Sequence, residues 1–233
     1  MQQRLAQQKV KYSYGAYNKS NATEQWIRIT EGCPHNCAWC YEPKEIKIFG
    51  IPEIIRNDVT IIDMNLLAKK GALSIIKQLG YRRVNNKVVY YHLNAGLDYR
   101  FMTQEIANAL KESRFKDCRL AWDWGINHQY KLKDAVNCLL KAGYKPNDIT
   151  IYMVCNYKLC NYEEQCRKLD ICKVWNVKVV DCWYDNQTSP NIIPLHWTDT
   201  QIKDFRKKCR KHNQLVNFKI DPEVKASNVS SMN

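Results

Sequence analysis

The chain has 233 residues, 45% of them hydrophobic, which suits one large domain with a real core. A formal net charge of +13 fits a nucleotide or nucleic-acid partner, and it equally fits solvated Lys-rich helix faces. No run of about 18 apolar residues occurs, which excludes a membrane-spanning helix, and residues 1–8 lack the apolar stretch of a signal peptide. The expectation is a cytoplasmic chain with no membrane partner, whose 11 cysteines are thiols or metal ligands rather than a disulfide framework.

Residues 1–24 are polar, carry Lys9, Lys11, Tyr12, Tyr14 and Tyr17, and show no sustained periodicity. They read as an N-terminal extension, an arm able to fold over a neighbouring site. Residues 25–221 read as the folded domain and 222–233, rich in Ser and Asn, as a disordered tail.

The domain opens with a β-like run, Trp26 to Thr30, followed at once by Gly32-Cys33-Pro34-His35-Asn36-Cys37-Ala38-Trp39-Cys40-Tyr41. Glu42 to Asp58 reads as a long connection. Val59 to Asp63 reads as a short accessory strand or a buried loop segment, and Asp63 can cap the next helix. That helix has Ala72, Ile75, Ile76 and Leu79 on one face and Gly80 as its C′ residue.

Val88 to Leu93 is β-branched and aromatic, hence a strand, with the turn Asn94 to Asp98 after it. Thr103 caps a helix with Ile106, Ala107 and Leu110 inside. Leu120 to Trp124 is a strand. Leu132, Ala135, Val136, Leu139 and Leu140 form a helical stripe ended by Gly143. Ile149 to Cys155 is a strand, and Asn161 with Glu164 begins a helix carrying Tyr162, Cys166 and Leu169 inward.

Val177 to Tyr184 is a strand, and Thr188 to Asn191 is a loop. Thr198 and Gln201 form a capping box opening a helix with Ile202, Phe205 and Cys209 inside and Lys203, Lys207, Arg210 and Lys211 outside. Gln214 to Ile220 reads as a last strand. Six strands alternating with five helices give a mostly parallel sheet with right-handed crossovers. Six units are too few for an eight-fold barrel, so the expected fold is α/β, a partial (β/α)6 TIM-like barrel with a curved sheet.

Cys33, Cys37 and Cys40 stand at C-x3-C-x2-C spacing, close enough for three thiolates to converge on one metal centre. An iron–sulfur cluster takes four ligands, so three cysteines leave one iron open. The same three residues fit part of a zinc site, with His35 or a distant cysteine as fourth ligand, although no second C-x2-C pair follows. Cys155, Cys160, Cys166 and Cys172 read as buried thiols rather than a second cluster. Cys166 and Cys172 lie about 600° apart around a helix and do not share a face.

The motif, with Trp39 just before its last cysteine and placed after the first strand of an α/β chain, resembles that of the radical S-adenosylmethionine (radical SAM) family. The resemblance implies a [4Fe-4S] cluster on Cys33, Cys37 and Cys40, and SAM chelating the fourth iron. It also implies an external flavodoxin- or ferredoxin-like electron donor, and reductive cleavage of SAM to a 5′-deoxyadenosyl radical that abstracts hydrogen from a substrate. That substrate is read as a nucleotide or nucleic acid, or alternatively as a peptide or small metabolite.

In the family the turn after the second strand often reads Gly-Gly-Glu and binds the SAM amino group. Here it reads Asn94-Ala95-Gly96, with Asp98 nearby. The resemblance further implies SAM contacts from Asp123 and Asn156, at the ends of the third and fourth strands, and from Trp39 against the cluster or the adenine. A rival of another class is a zinc-stabilised nucleic-acid-binding module without catalysis.

Overall fold

The computed structural model describes residues 14–35, 37, 39–40, 42–156, 160–184 and 196–218. Strand β1 (Tyr17–Ser20), inside the stretch read as an extension, pairs antiparallel with β2 (Glu24–Arg28). The Asn21 carboxamide makes the turn between them by accepting the N–H groups of Thr23 and Glu24 at 2.8 Å. The two-residue strands β3 (Thr30–Glu31) and β4 (Lys47–Ile48) pair antiparallel, so the chain on either side of the cysteine loop is tied together at its base.

Strand β5 (Asp58–Ile61) lies parallel to β2. A tight hairpin of β6 (Arg83–Val84) and β7 (Lys87–Val88) turns at Asn85 and Asn86, whose φ values of 51° and 61° are those of a type I′ turn. Strand β8 (Tyr90–Leu93) is parallel to β5 and to β9 (Phe115–Lys116). Strands β10 (Cys118–Ala121), β11 (Ile149–Cys155) and β12 (Lys178–Trp183) form a second, wholly parallel sheet. A bridge between Leu97 and Leu120 joins the two, with Leu97 N–H donating to Arg119 at 2.6 Å and Ala121 N–H to Leu97 at 3.0 Å. The architecture is mixed α/β with a mainly parallel sheet.

Helices α1 (Ala72–Gly80), α2 (Gln104–Glu112), α3 (Gln129–Lys141) and α4 (Tyr162–Trp175) lie in connections between strands from β5 onward, and α5 (Asp199–Phe218) follows β12. Their apolar stripes meet alternate strand residues. Ile76, Leu79, Leu110, Val136 and Leu139 pack with Ile27, Val59, Ile61, Tyr91, Leu120 and Ile151 in one core, all 0% exposed. Burial of each such side chain contributes about 1.5–3 kcal/mol. Among the described residues no helix is long and apolar enough to cross a membrane.

Four local expectations are corrected. The short strand read within Val59 to Asp63 is present but is central to its sheet rather than accessory, and Ile62 and Asp63 lie beyond it. Val59 and Ile61 are fully buried in β5, which sits between β2 and β8. Asp63 does not cap a helix. It accepts the backbone N–H groups of Ile29 (2.8 Å) and Thr30 (2.7 Å), and α1 instead starts after Gly71, at φ 82°. Gly80 is the last residue of α1, followed by Tyr81 in helical conformation, and is not a left-handed C′ residue.

Gln214 to Phe218 is not a strand but the end of α5, because the helical period Phe205, Cys209, His212, Val216 runs on through it. Residues 219 and 220 lie outside the described residues. The edge of β12 is occupied by a side chain instead: the Asn213 carboxamide accepts Val179 N–H at 2.8 Å and donates to Val179 C=O at 2.7 Å. The caps at Thr103, Asn161 and Thr198–Gln201 hold as read from sequence. The loop read at Thr188 to Asn191 and the tail 222–233 lie outside the described residues.

Candidate metal centre

The cysteine loop begins at a residue that has to be glycine. Gly32 has φ +86°, and a Cβ there would stand 1.8 Å from the Glu45 carbonyl oxygen. Its N–H donates to Glu42 Oε1 at 2.7 Å, Cys33 N–H donates to the Pro43 carbonyl at 2.8 Å, and Cys40 N–H to the Cys37 carbonyl at 3.1 Å. These bonds fold the loop back so that Cys33, Cys37 and Cys40, all outside any disulfide, line one cavity of about 410 Å³. Asn36, Ala38 and Tyr41 lie outside the described residues.

The remaining cavity wall is built from strand ends. Ile62 follows β5, Asn94 and Gly96 follow β8, Asp123 follows β10, and Val154 and Cys182 lie near the ends of β11 and β12. All of these belong to the C-terminal side of parallel strands, where α/β sheets present ligand sites. The volume is within the range of small-molecule pockets.

The predicted residues fall into two groups. Trp39, Asn94, Gly96 and Asp123 line the cavity with the three cysteines. Trp39 hydrogen-bonds the Asp123 carboxylate, and its ring lies 6.0 Å from Trp124, edge-on. Gly96 packs against β10, where a Cβ would meet Ala121 Cβ at 3.1 Å. Asn156 stands apart: it is 1% exposed at φ 56°, and its Oδ1 accepts the N–H groups of His196 (2.8 Å) and Trp197 (3.1 Å) ahead of α5. His35 lines the cavity with Nε2 2.8 Å from Asp98 Oδ2, and its ring stacks on Phe101.

Electrostatics follow from burial. Desolvation pushes the Cys37 thiol up to about 11, reinforced by Cys40, Asp123 and Cys33 and opposed by Arg100. A metal centre must therefore displace protons as it binds. Burial pushes Asp123 up to about 6, against the pull of Lys168, the Val154 N–H and Trp39. Burial also acts upward on Asp98, but Arg100 outweighs it with bonds of 2.6–3.0 Å and holds that carboxyl below the usual range.

Sequence reasoning missed the groups beneath and beside the loop. Asn65, at φ 49°, donates to Cys33 Sγ at 3.5 Å and accepts Asp98 N–H at 3.3 Å, linking the first cysteine to the turn after β8. Arg100 lines the cavity and lies 5.0 Å over the Trp124 ring. Lys69 is 4% exposed, and its ammonium has no hydrogen-bond partner. Burial pushes Lys69 below the usual ammonium range, opposed by Cys33, Glu42, Asp63 and Cys40. No spacing rule singles out such residues; only the fold brings them to the cysteines.

Among the described residues no group of three or more His, Cys, Asp and Glu side chains is gathered as for a single metal ion. Cys155 and Cys172 are fully buried in the core, as small apolar groups are. The fit of a cluster to the loop rests on its donors. Three thiols reach one cavity, an amide donates to one sulfur, Glu42 N–H approaches Cys40 Sγ at 3.4 Å, and a buried unpaired cation lies beside them. Such N–H···S contacts and nearby positive charge suit an anionic iron–sulfur centre.

No protein-family model and no curated protein matches the chain. Its fold is similar to that in the crystal structure of HydG, a maturase of the [FeFe]-hydrogenase, with a TM-score of 0.51 and 12% sequence identity. The match covers 81% of this chain and 49% of that one, so the chain spans about half the length of HydG. At that identity the likeness is one of fold.

Proposed function

We propose that the chain is a radical SAM enzyme built on a partial (β/α)6 barrel. The observation that carries this reading is the convergence of Cys33, Cys37 and Cys40 on a cavity at the C-terminal ends of the parallel strands. The fold likeness to HydG supports it at the level of architecture. Cys33, Cys37 and Cys40 would hold a [4Fe-4S] cluster with one iron open to SAM. When bound, the two groups supply reductive cleavage of SAM to methionine and a 5′-deoxyadenosyl radical, the electron coming from an external flavodoxin- or ferredoxin-like donor.

The chain's own residues bind and shield. Asn94 and Gly96 would present a carboxamide and an uncluttered backbone to the SAM amino-acid group, Asp123 would accept from ribose hydroxyls, and Trp39 would offer a ring face for packing. Ile62, Val154 and Trp124 keep water from the wall, limiting side reactions of a reactive species. Arg100, held by Asp98, provides fixed positive charge at the cavity.

A zinc ion would draw all its ligands to about 2.0–2.3 Å from one centre. A cubane takes one thiolate per iron and spreads them, which agrees better with three cysteines that line one cavity without being gathered, among the described residues, as for a single ion. The net charge of +13, with Lys203, Lys207, Arg210 and Lys211 exposed on α5, favours a nucleotide or nucleic-acid substrate over a neutral metabolite. The test is anaerobic reconstitution with iron and sulfide, then incubation with dithionite and SAM. A [4Fe-4S] spectrum and 5′-deoxyadenosine support the reading; one zinc per chain and neither signal would overturn it. Nucleic-acid binding that weakens steeply with salt supports the substrate class, and no binding at low salt counts against it.

A further inference from the structure

Lys69 is the most anomalous buried group in the described structure. It follows a 3₁₀ turn (Leu66–Ala68) after β5, is 4% exposed, and its Nζ makes no hydrogen bond. Burying an ammonium without a bonded partner is costly, and proteins compensate by placing opposite charge against it. The two carboxylates near it are committed elsewhere. Asp63 accepts Ile29 N–H, Thr30 N–H and the Thr30 hydroxyl at 2.7–2.8 Å, and Glu42 accepts Gly32 N–H. Cys33 and Cys40 are its other titratable neighbours.

We infer that Lys69 is the internal counter-ion of the cysteine-held cluster, a fixed positive charge that raises the cluster's reduction potential. The inference rests on the radical SAM reading proposed above. A four-iron core in its oxidised resting state, bound by three thiolates, carries one net negative charge, and two after accepting one electron from an external one-electron donor. A buried cation stabilises the second charge more than the first, so it favours the reduced state. Burial acts against the charge on Lys69, and Cys33, Glu42, Asp63 and Cys40 act for it, so a negative centre on the cysteines would favour the ammonium further.

Two variants separate the charge of this side chain from its packing. Lys69→Met keeps the shape of the side chain and removes its charge, and Lys69→Arg keeps the charge. The reconstituted variant should be harder to reduce. In an EPR-monitored redox titration with dithionite, the reduction equilibrium should fall at least tenfold, which is about 59 mV for a one-electron couple. Lys69→Arg, which keeps the charge, should stay near wild type.

A Met variant with wild-type potential, or an Arg variant shifted as far as the Met variant, overturns the inference. Should the Met variant assemble no cluster, anaerobic titration of the metal-free proteins with Co²⁺ decides. Tenfold weaker binding in Lys69→Met than in Lys69→Arg supports the counter-ion role, and equal binding overturns it. A wild-type protein that takes up no cluster refutes the radical SAM reading instead, and is distinguishable from either result.

Discussion

Trp39, on the cysteine loop, hydrogen-bonds the carboxylate of Asp123 at the end of β10. Through this bond the loop that carries the candidate metal ligands is fastened to the second parallel sheet, across the cavity the two walls share. The carboxylate is set where desolvation pushes it up to about 6.

That shift has a pH signature. Asp123 binds its proton more tightly when folded than the ordinary carboxyl at 3.8. Its contribution to stability is present below the unfolded value and is lost as pH rises through about 6. Above pH 6 the ionised group costs up to about 3 kcal/mol. Asp123→Asn should therefore raise the melting temperature of the metal-free protein at pH 7.5 and have little effect at pH 4. An equal effect at both values would refute the assignment.

Gly32→Ala should damage the loop at its first residue. A positive φ costs a non-glycine residue about 1–3 kcal/mol, and the Cβ would collide with a backbone oxygen rather than a side chain. We expect a lower melting temperature and reduced iron content after reconstitution. Iron content equal to wild type would show that the loop can close another way.

Asn65→Ala should act on Cys33 without touching the ligand set. It removes an N–H···S contact and the acceptor of Asp98 N–H. Loss of such a contact is typically felt as about 10–100-fold in metal affinity or activity. The iron retained after brief chelator exposure measures it, and retention at the wild-type level would contradict it.

Asn213→Ala tests how the sheet ends. The variant loses both bonds to Val179 and exposes a strand edge. The expected cost is about 1–3 kcal/mol in urea unfolding, with light scattering rising at the same protein concentration. Unchanged midpoint and scattering would mean that water replaces the amide without penalty.

Local signals carried far in this chain. Caps at Thr103, Asn161 and Thr198, and the apolar stripes behind them, located α2, α4 and α5 because these depend on residues within one turn. From sequence β5 reads only as an accessory strand or a buried loop segment because four residues, Asp58 to Ile61, give too short an alternation to stand out beside a charged connection. Gln214 to Phe218 misled because its β-branched and aromatic side chains suit either period, and only the run from Phe205 decides. The site divides the same way. Cys33, Cys37, Cys40 and Trp39 announce themselves by spacing, and Asn94, Gly96 and Asp123 by lying where strands end. Asn65, Lys69 and Arg100 lie 25 or more residues from the last of those cysteines, and only the fold brings Asn65 and Arg100 to the cavity and Lys69 near the cysteines.

The central claim is that the three cysteines of this loop hold one iron–sulfur cluster on which SAM is cleaved. The direct measurement is 5′-deoxyadenosine formed per chain by anaerobically reconstituted protein with dithionite and SAM, set beside Cys33→Ala, Cys37→Ala and Cys40→Ala. The account predicts product and a reducible four-iron EPR signal in the wild type, with both lost in every variant. A well-folded wild type that forms neither, or a variant that retains both, would contradict it.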